Sequence, residues 1–187
     1  MPPKSVLTKE QIAQTAFEIL RKEGYDALNA RYLASALGVS TMPLFRHFEN
    51  MDEIKKAAVR LGMEKYCKYM RDGMTDPMPF KGVGKAYIKF AKEEPRLFEI
   101  FFMRATSSVV GIDENDPNYE DVLGIASKIM NGNSEDGQNI LQSMWIIVHG
   151  IATLEVTGKM SFTEEEANRI TSEAFLALKL LKEKTNE

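Results

Sequence analysis

The chain of 187 residues has little of the chemistry that enzymes and metal proteins need, with one cysteine and two histidines. A single cysteine, Cys67, excludes a disulfide within the chain and a zinc site built from cysteines of one chain, so we interpret it as a buried, inert thiol. His47 and His149 have no metal-site or nucleophile–base spacing, and no glycine-rich phosphate loop is present. We therefore expect no metal, no cofactor and no catalytic site, and the many carboxylates are best interpreted as solvated helix faces.

Long hydrophobic runs are also missing. The longest, such as 144–148, are far too short to cross a bilayer, and residues 1–11 lack the apolar core of a signal peptide. Apolar residues make up 44% of the chain, which is ample for a buried core. We expect a folded, soluble, cytoplasmic protein without membrane contact.

Charge is mildly acidic overall and divided unevenly, since the net charge is −3. Residues 1–71 carry 12 lysines and arginines against 8 aspartates and glutamates, whereas residues 72–187 carry 12 against 19. A basic head on an acidic body suits a protein that contacts phosphates at one end only.

Helical periodicity runs through almost every segment, and no stretch alternates as a half-buried strand does. The pattern predicts an all-α fold with capping residues Thr8, Asn29, Ser40, Asn50 and Thr163. Prolines and a glycine in 72–79 separate a head from a body, and 106–118 is predicted to be a mobile loop. The nine predicted helices are about 9–22, 30–37, 41–48, 51–70, 81–93, 95–105, 119–130, 138–157 and 164–184.

Three residues in the head have the spacing of a helix-turn-helix. Such a motif needs a small residue where its helices meet, a glycine in a left-handed turn, and an apolar residue about six positions on. Ala34, Gly38 and Leu44 occupy these positions, and Phe48 packs inward beside Leu44. Two short helices joined by a glycine also occur in proteins that never bind DNA, so this spacing alone leaves both interpretations open.

A wider pattern in the first 60 or so residues consists of Thr8-(x)3-Ile12-Ala13, Ala16-Phe17, Gly24-Tyr25, Asn29-Ala-Arg31-Tyr-Leu33-Ala34, Gly38-Val39-Ser40, Leu44-Phe45-Arg46-His47-Phe48 and Asp52-Glu53-Ile54. This pattern resembles the head of the TetR family of transcriptional regulators. The resemblance implies residues 1–50 as a DNA-binding domain, 51–71 as a connecting helix and 72–187 as a domain for ligand binding and dimerisation.

The resemblance also implies DNA contacts. The position of Arg31 contacts a base or a phosphate, and an arginine fork suits guanine O6 and N7. Thr41, Met42 and Pro43 fall where family members select bases, and Met42 and Pro43 offer only apolar contacts, for example to thymine methyls. His47 either approaches phosphate or packs at a helix end. The predicted DNA contacts are Asn29, Arg31, Ser40, Thr41, Met42, Pro43, Phe45, Arg46, His47 and Lys55.

Two departures from the family pattern weaken the expected phosphate contacts. Phe45 stands where the family usually has tyrosine, and Met51 stands where it usually has lysine. The lost hydroxyl and cation should weaken the electrostatic part of binding without abolishing it. Cations that could compensate are Arg46, Lys55, Lys56, Lys4 and Lys9.

The last two predicted helices carry the residues expected to dimerise the chain. The helix over 138–157 is apolar nearly all round, so it needs partners on every side. In the family, the last two helices of each subunit form a four-helix bundle, which implies a homodimer on a near-palindromic duplex with recognition helices about 34 Å apart. The stripe on the last helix consists of Ala167, Ile170, Ala174, Phe175, Leu178 and Leu181.

The body is expected to hold a small, largely apolar effector. Residues 87–98, with Trp145-(x)3-His149-Gly150, resemble the C-terminal domain of a TetR branch named for its Trp, His and Gly. Flexible methionines suit an adaptable cavity, although such a stripe is more often plain core, and His149 more often a hydrogen-bonded core residue. The predicted pocket residues are Phe90, Phe98, Phe101, Phe102, Met103, Met144, Trp145 and His149.

The implied mechanism is a ligand-driven shift of the fourth helix that changes the spacing of the two heads and lowers operator affinity. The alternatives are a family-like protein that binds DNA or scaffolds other proteins without an effector and, less favoured, an enzyme.

Overall fold

The computed structural model describes residues 7–104 and 116–185, and the regular secondary structure of these residues is entirely helical, which confirms the predicted fold class. None of the helices in these two ranges has the length and apolar character needed to span a membrane. The predicted loop over 106–118, apart from its last residues, and Lys4 lie outside the described residues. The α-helices are α1 (Lys9–Glu23), α2 (Ala30–Ala36), α3 (Met51–Met74), α4 (Pro79–Glu93), α5 (Pro95–Phe98), α6 (Tyr119–Ile129), α7 (Ser134–Val156) and α8 (Glu164–Thr185).

Side-chain caps start several of these helices where the sequence predicts them. At α1, the backbone N–H of Gln11 donates to Thr8 Oγ1 at 3.2 Å, and Thr8 N–H donates back to Gln11 Oε1 at 3.0 Å. Thr163 and Glu166 form the same reciprocal pair at α8. Each pair satisfies amide groups that have no partner within the helix, so the local sequence fixes these two helix starts.

The third predicted helix, over 41–48, winds more tightly than expected. Its amides mostly bond the carbonyl three residues back, from Leu44 N–H to Thr41 O at 3.1 Å onwards, and Leu44–Arg46 is a 3₁₀ helix. Pro43 has no backbone N–H to donate, and the segment is short. The tighter winding therefore gives up few i→i+4 hydrogen bonds. The expected capping bond from Ser40 is replaced by a backbone turn, since no side chain caps this 3₁₀ helix.

Other helix bounds differ by a turn or less. Helix α7 begins four residues before its predicted start because Asn133 caps it, its side-chain oxygen accepting from Asp136 N–H at 3.1 Å. Pro79 occupies the first turn of α4, where its missing N–H costs little. The predicted helix over 95–105 is α5 continued by a π-helical turn, Glu99–Met103.

The chain forms two compact units, residues 1–65 and 66–187, and the division falls inside α3. Unit 1 has its own core of fully buried side chains, namely Ile12, Ala16, Leu20, Leu33, Leu44, Ile54 and Ala58. Unit 2 has a larger core that includes Met70, Phe90, Leu97, Phe98, Phe101, Ala126 and Ala152.

In unit 2, the last turn of α3 and the first turns of α4 approach each other backbone to backbone at two glycines. A Cβ placed on Gly73 would lie 2.7 Å from the Gly82 carbonyl oxygen and 2.8 Å from the Ala86 Cβ. Because ordinary contact begins at 3.4 Å, only glycine allows this approach.

Candidate nucleic-acid interface and ligand cavity

The turn between α2 and the 3₁₀ segment has the geometry that a helix-turn-helix requires. Gly38 has a φ of +67°, which confirms the predicted left-handed glycine. Its N–H donates to Ser35 O and the N–H of Val39 donates to Ala34 O, both at 3.0 Å, so the turn closes the end of α2.

The 3₁₀ segment presents one face to the core of unit 1 and the other to solvent. Leu44 and Phe48 are buried and hold it against the unit. Met42 and Phe45 are 68% and 43% exposed, which is unusual for large apolar side chains, and Arg46 is exposed beside them. A face with these side chains can make apolar contacts to thymine methyls and charged contacts to phosphate or guanine.

The start of α2 carries a second group of predicted contacts. Arg31 is exposed, whereas Asn29 is committed to the helix start, since its side-chain oxygen accepts from Tyr32 N–H at 3.0 Å. Tyr32, which is not one of the predicted contacts, is 38% exposed, and its hydroxyl donates to Glu23. This hydrogen bond to a carboxylate raises the pKa of Tyr32.

Two lysines of unit 1 lie over aromatic rings. Lys55 Nζ is 4.4 Å from the ring centre of Tyr25, and Lys9 Nζ is 4.8 Å from that of Phe48. Both distances suit a cation–π contact, which holds each ammonium at a defined place without neutralising it. Of the remaining predicted contacts, Ser40 is exposed, and Thr41, Pro43 and His47 are half-buried.

Unit 2 contains a cavity of about 690 Å³, within the range of small-molecule sites. Of the eight predicted pocket residues, Met144 and Trp145 line it. The other contributions come from the end of α3, the first half of α4, and α6, α7 and α8. Most lining side chains are apolar, among them Met70, Phe80, Val83, Val122, Ile125 and Phe175.

Paired polar groups lie at the buried end of the cavity. The Tyr66 hydroxyl donates to Asp116 Oδ2 at 2.8 Å, and the Tyr87 hydroxyl is 3.0 Å from His149 Nδ1. Burial raises the pKa of both tyrosines, and burial lowers the pKa of His149. The Tyr66 and Tyr87 hydroxyls and the His149 ring are therefore neutral near neutral pH.

The other six predicted pocket residues do not line this cavity. Phe90, Phe98 and Phe101 are fully buried, so they are core. Phe102 and His149 pack around Tyr87, with ring centres 5.2 and 6.3 Å from it. Met103 is 40% exposed at the end of the π-helical turn.

His149 is held by neighbours on two sides. It is hydrogen-bonded to Tyr87 and stacks on Trp145, with ring centres 4.6 Å apart. This arrangement agrees with its interpretation as a hydrogen-bonded core residue, one layer behind the cavity wall.

Sequence reasoning missed most of the cavity wall. Tyr66 and Met70 belong to the helix predicted to connect the two domains and are not among the predicted pocket residues, and Phe175 belongs to a stripe assigned to dimerisation. Tyr87 lies three residues before the predicted Phe90 on α4, and helical periodicity places both inward. Only the packing of neighbouring helices decides which of two inward residues borders a void.

Helices α7 and α8 each carry an exposed apolar surface. Ile146, Leu180 and Leu181 are each more than half exposed. A Cβ on Gly150, one turn after Ile146, would meet nothing within 4 Å. Such a surface is typical of an interface with another chain.

Two family descriptions match the chain. Residues 12–58 match "Bacterial regulatory proteins, tetR family", and residues 80–177 match "Tetracyclin repressor-like, C-terminal domain". The second description does not name the Trp-His-Gly branch, so that narrower resemblance stays a prediction.

Curated relatives agree with these matches, and a solved structure shares the fold. An uncharacterized HTH-type transcriptional regulator of Mycobacterium tuberculosis is 26% identical over 172 residues, which cover 86% of this chain and 76% of that protein. One from Bacillus subtilis is 25% identical over 107 residues, 56% of each chain. A protein of unknown function from Rhodococcus sp. RHA1 shares the fold with a TM-score of 0.70 and 19% identity, over 96% of this chain and 97% of that one.

The chain belongs to the TetR family of bacterial regulatory proteins, and it is a DNA-binding transcriptional regulator with an N-terminal helix-turn-helix. Members of this family bind DNA as dimers and carry a ligand-binding C-terminal domain. The family is regulatory rather than enzymatic.

Proposed function

We propose that this protein is a homodimeric repressor that occupies a near-palindromic operator and leaves it when a small, largely apolar effector enters the cavity of unit 2. The observation that carries the proposal is the two-sided character of the segment after Ser40. Leu44 and Phe48 anchor it in the core, which leaves Met42, Phe45 and Arg46 on the outer face.

The base contacts follow from this face and from α2. Arg31 and Arg46 are the exposed arginines of the motif, and each can form a bidentate pair with guanine or contact a phosphate. Met42 offers an apolar surface for a thymine methyl. Phe45 has no hydroxyl for phosphate, so the affinity depends more on the arginines and on Lys55.

Dimerisation is supported by the exposed apolar surface of α7 and α8. A symmetric contact between two copies would cover Ile146, Leu180 and Leu181, and the open space at Gly150 lets a partner helix approach closely. A dimer carries two recognition segments, as a near-palindromic operator requires.

Coupling between effector and DNA is supported by the course of α3. This helix begins at Met51, directly after the recognition segment, and its later residues Tyr66 and Met70 line the cavity. An effector that displaces Tyr66 or Met70 acts on α3, the helix that also begins in the DNA-binding unit. The difference between the effector's affinities for two positions of α3 sets how far operator affinity falls.

The proposal is tested by selecting bound sequences from random DNA and measuring affinity for the selected duplex by fluorescence anisotropy. Arg31→Ala and Arg46→Ala should each weaken binding about 5- to 100-fold, as expected for a lost base or phosphate contact. Arg169→Ala removes an exposed arginine from α8 and should leave the affinity unchanged.

Enrichment of no two-fold symmetric motif would refute the operator-binding proposal. Binding of the selected duplex that no small molecule weakens would favour the alternative, a DNA-binding protein or scaffold without an effector.

A further inference from the structure

We infer that the cavity takes an amphipathic carboxylic acid, with its hydrocarbon body along the apolar wall and its carboxylate at the end nearest Lys81 and Lys128. This inference rests on the proposed function of the cavity as an effector site and adds the chemical class of the effector.

Three lysines line the cavity. Lys81 follows Phe80 in the first turn of α4, and Lys179 lies one turn after Phe175 on α8, while the two phenylalanine rings are 5.8 Å apart. Lys128 lies in the last turn of α6. Three cations on three helices therefore line the cavity, and Lys128 lies at the opposite end of α6 from Asp116.

Two of these lysines are available to a ligand. Within the part of the chain that the structure describes, neither Lys81 nor Lys128 makes an ion pair. Glu164 and Glu165 border a shallow groove that Lys81 also lines, but no carboxylate of the described residues lies within 4.0 Å of the Lys81 ammonium. A bound carboxylate would gain two partners that are not already neutralised.

At the opposite end of the cavity, the Asp116 carboxylate repels a second anion. A bound cation would gain little there, because the Asp116 oxygens already accept hydrogen bonds. Asp116, the one carboxylate among the described lining residues, accepts from the Tyr66 hydroxyl and from both the backbone and side-chain N–H groups of Asn118. Lys81 and Tyr87 are separated by about 9 Å along α4, from a rise of ~1.5 Å per residue. The charge pattern thus orients an anionic amphiphile with its head toward the lysines and its tail toward Tyr87.

The sole tryptophan makes the test direct, because Trp145 lies in the cavity wall and its fluorescence reports occupancy. Decanoate, 1-decanol and decylamine share one hydrocarbon body and differ in the charge of the head. Decanoate should bind about tenfold more tightly than 1-decanol or decylamine. The reason is that Lys81 and Lys128 are partly exposed cations that should each raise the affinity for the carboxylate by a factor of ~3 to 5.

Matched variants locate the head group. The double variant Lys81→Gln/Lys128→Gln should bind decanoate no more tightly than 1-decanol, whereas Lys89→Gln, which removes an exposed lysine of α4 outside the cavity, should keep the preference. Circular dichroism confirms that each variant is folded.

Equal binding of decanoate and 1-decanol, tighter binding of decylamine, or an unchanged preference in the double variant would overturn the carboxylate inference alone. Failure of all three compounds to change Trp145 emission at millimolar concentration would overturn it together with the proposed effector site. Operator binding would stand in either case, because it is measured without a ligand.

Discussion

The close approach of α3 and α4 can be tested by adding a single methyl group at Gly73. In Gly73→Ala, the new Cβ would lie 2.7 Å from the Gly82 carbonyl oxygen, against an ordinary contact of at least 3.4 Å. The nearer atom is backbone, so the two helix ends must separate by several tenths of an ångström. Overpacking of this kind costs about 1–3 kcal/mol, and the better helix propensity of alanine offsets ~0.5–1 kcal/mol of that cost.

The matched control is Gly124→Ala on α6, where a Cβ would meet nothing within 4 Å. The same chemical change should there raise stability by about 0.5–1 kcal/mol. Thermal unfolding followed by circular dichroism should show a lower midpoint for Gly73→Ala and a higher one for Gly124→Ala, with roughly 2–4 °C for each kcal/mol. If Gly73→Ala were as stable as Gly124→Ala, the two helices would not touch through their backbones.

Three further changes have defined outcomes. Gly38→Ala should lower the free energy of unfolding by about 1 kcal/mol. Its φ is +67° and a Cβ there meets no atom within 4 Å, so the cost is backbone strain alone. A loss above ~3 kcal/mol in urea unfolding would indicate a steric clash that the structure does not contain. Glu155→Gln should cost about 1 kcal/mol at pH 7, since it weakens the 2.8 Å ion pair with Lys92, itself partly exposed. Burial raises the pKa of Glu155, but hydrogen bonds from Lys92 and the Phe162 N–H outweigh burial and hold this pKa below its usual range. The stabilisation by the Glu155 carboxylate is therefore full above about pH 5 and declines as the pH falls through the lowered pKa. A stability difference between Glu155→Gln and wild type that grows toward pH 3 would contradict this. Thr163→Ala removes the capping hydroxyl of α8 and should lower stability by about 1 kcal/mol, whereas Thr163→Ser should restore it.

Local features of this fold are predictable from the sequence because their causes lie within a few residues. The cap formed by Thr8 and Gln11 and the left-handed turn at Gly38 depend only on neighbouring backbone groups. The winding of the segment after Ser40 is different, since α and 3₁₀ helices place almost the same residues inward. Leu44 and Phe48 are buried as predicted, but the choice of hydrogen-bond partner is not encoded in that spacing.

The cavity lies beyond sequence reasoning for a physical reason. Phe90 and Tyr87 both point inward from α4, yet only Tyr87 borders the void, because the rings of Tyr66, Tyr69 and Phe101 pack around Phe90. Hydrophobic periodicity identifies the side of a helix that is buried. The gap that remains between packed helices depends on their separation, which no single helix determines.

The central claim is that two copies of the chain present the segment after Ser40 to successive grooves of one duplex. Hydroxyl-radical footprinting on the selected duplex, combined with sedimentation of the complex, tests it most directly. We expect two chains per duplex and two equivalent protected regions whose centres are about 10–10.5 base pairs apart, or a multiple of that. One chain per duplex, or a single protected region that Arg31→Ala and Arg46→Ala leave unchanged, would contradict the account.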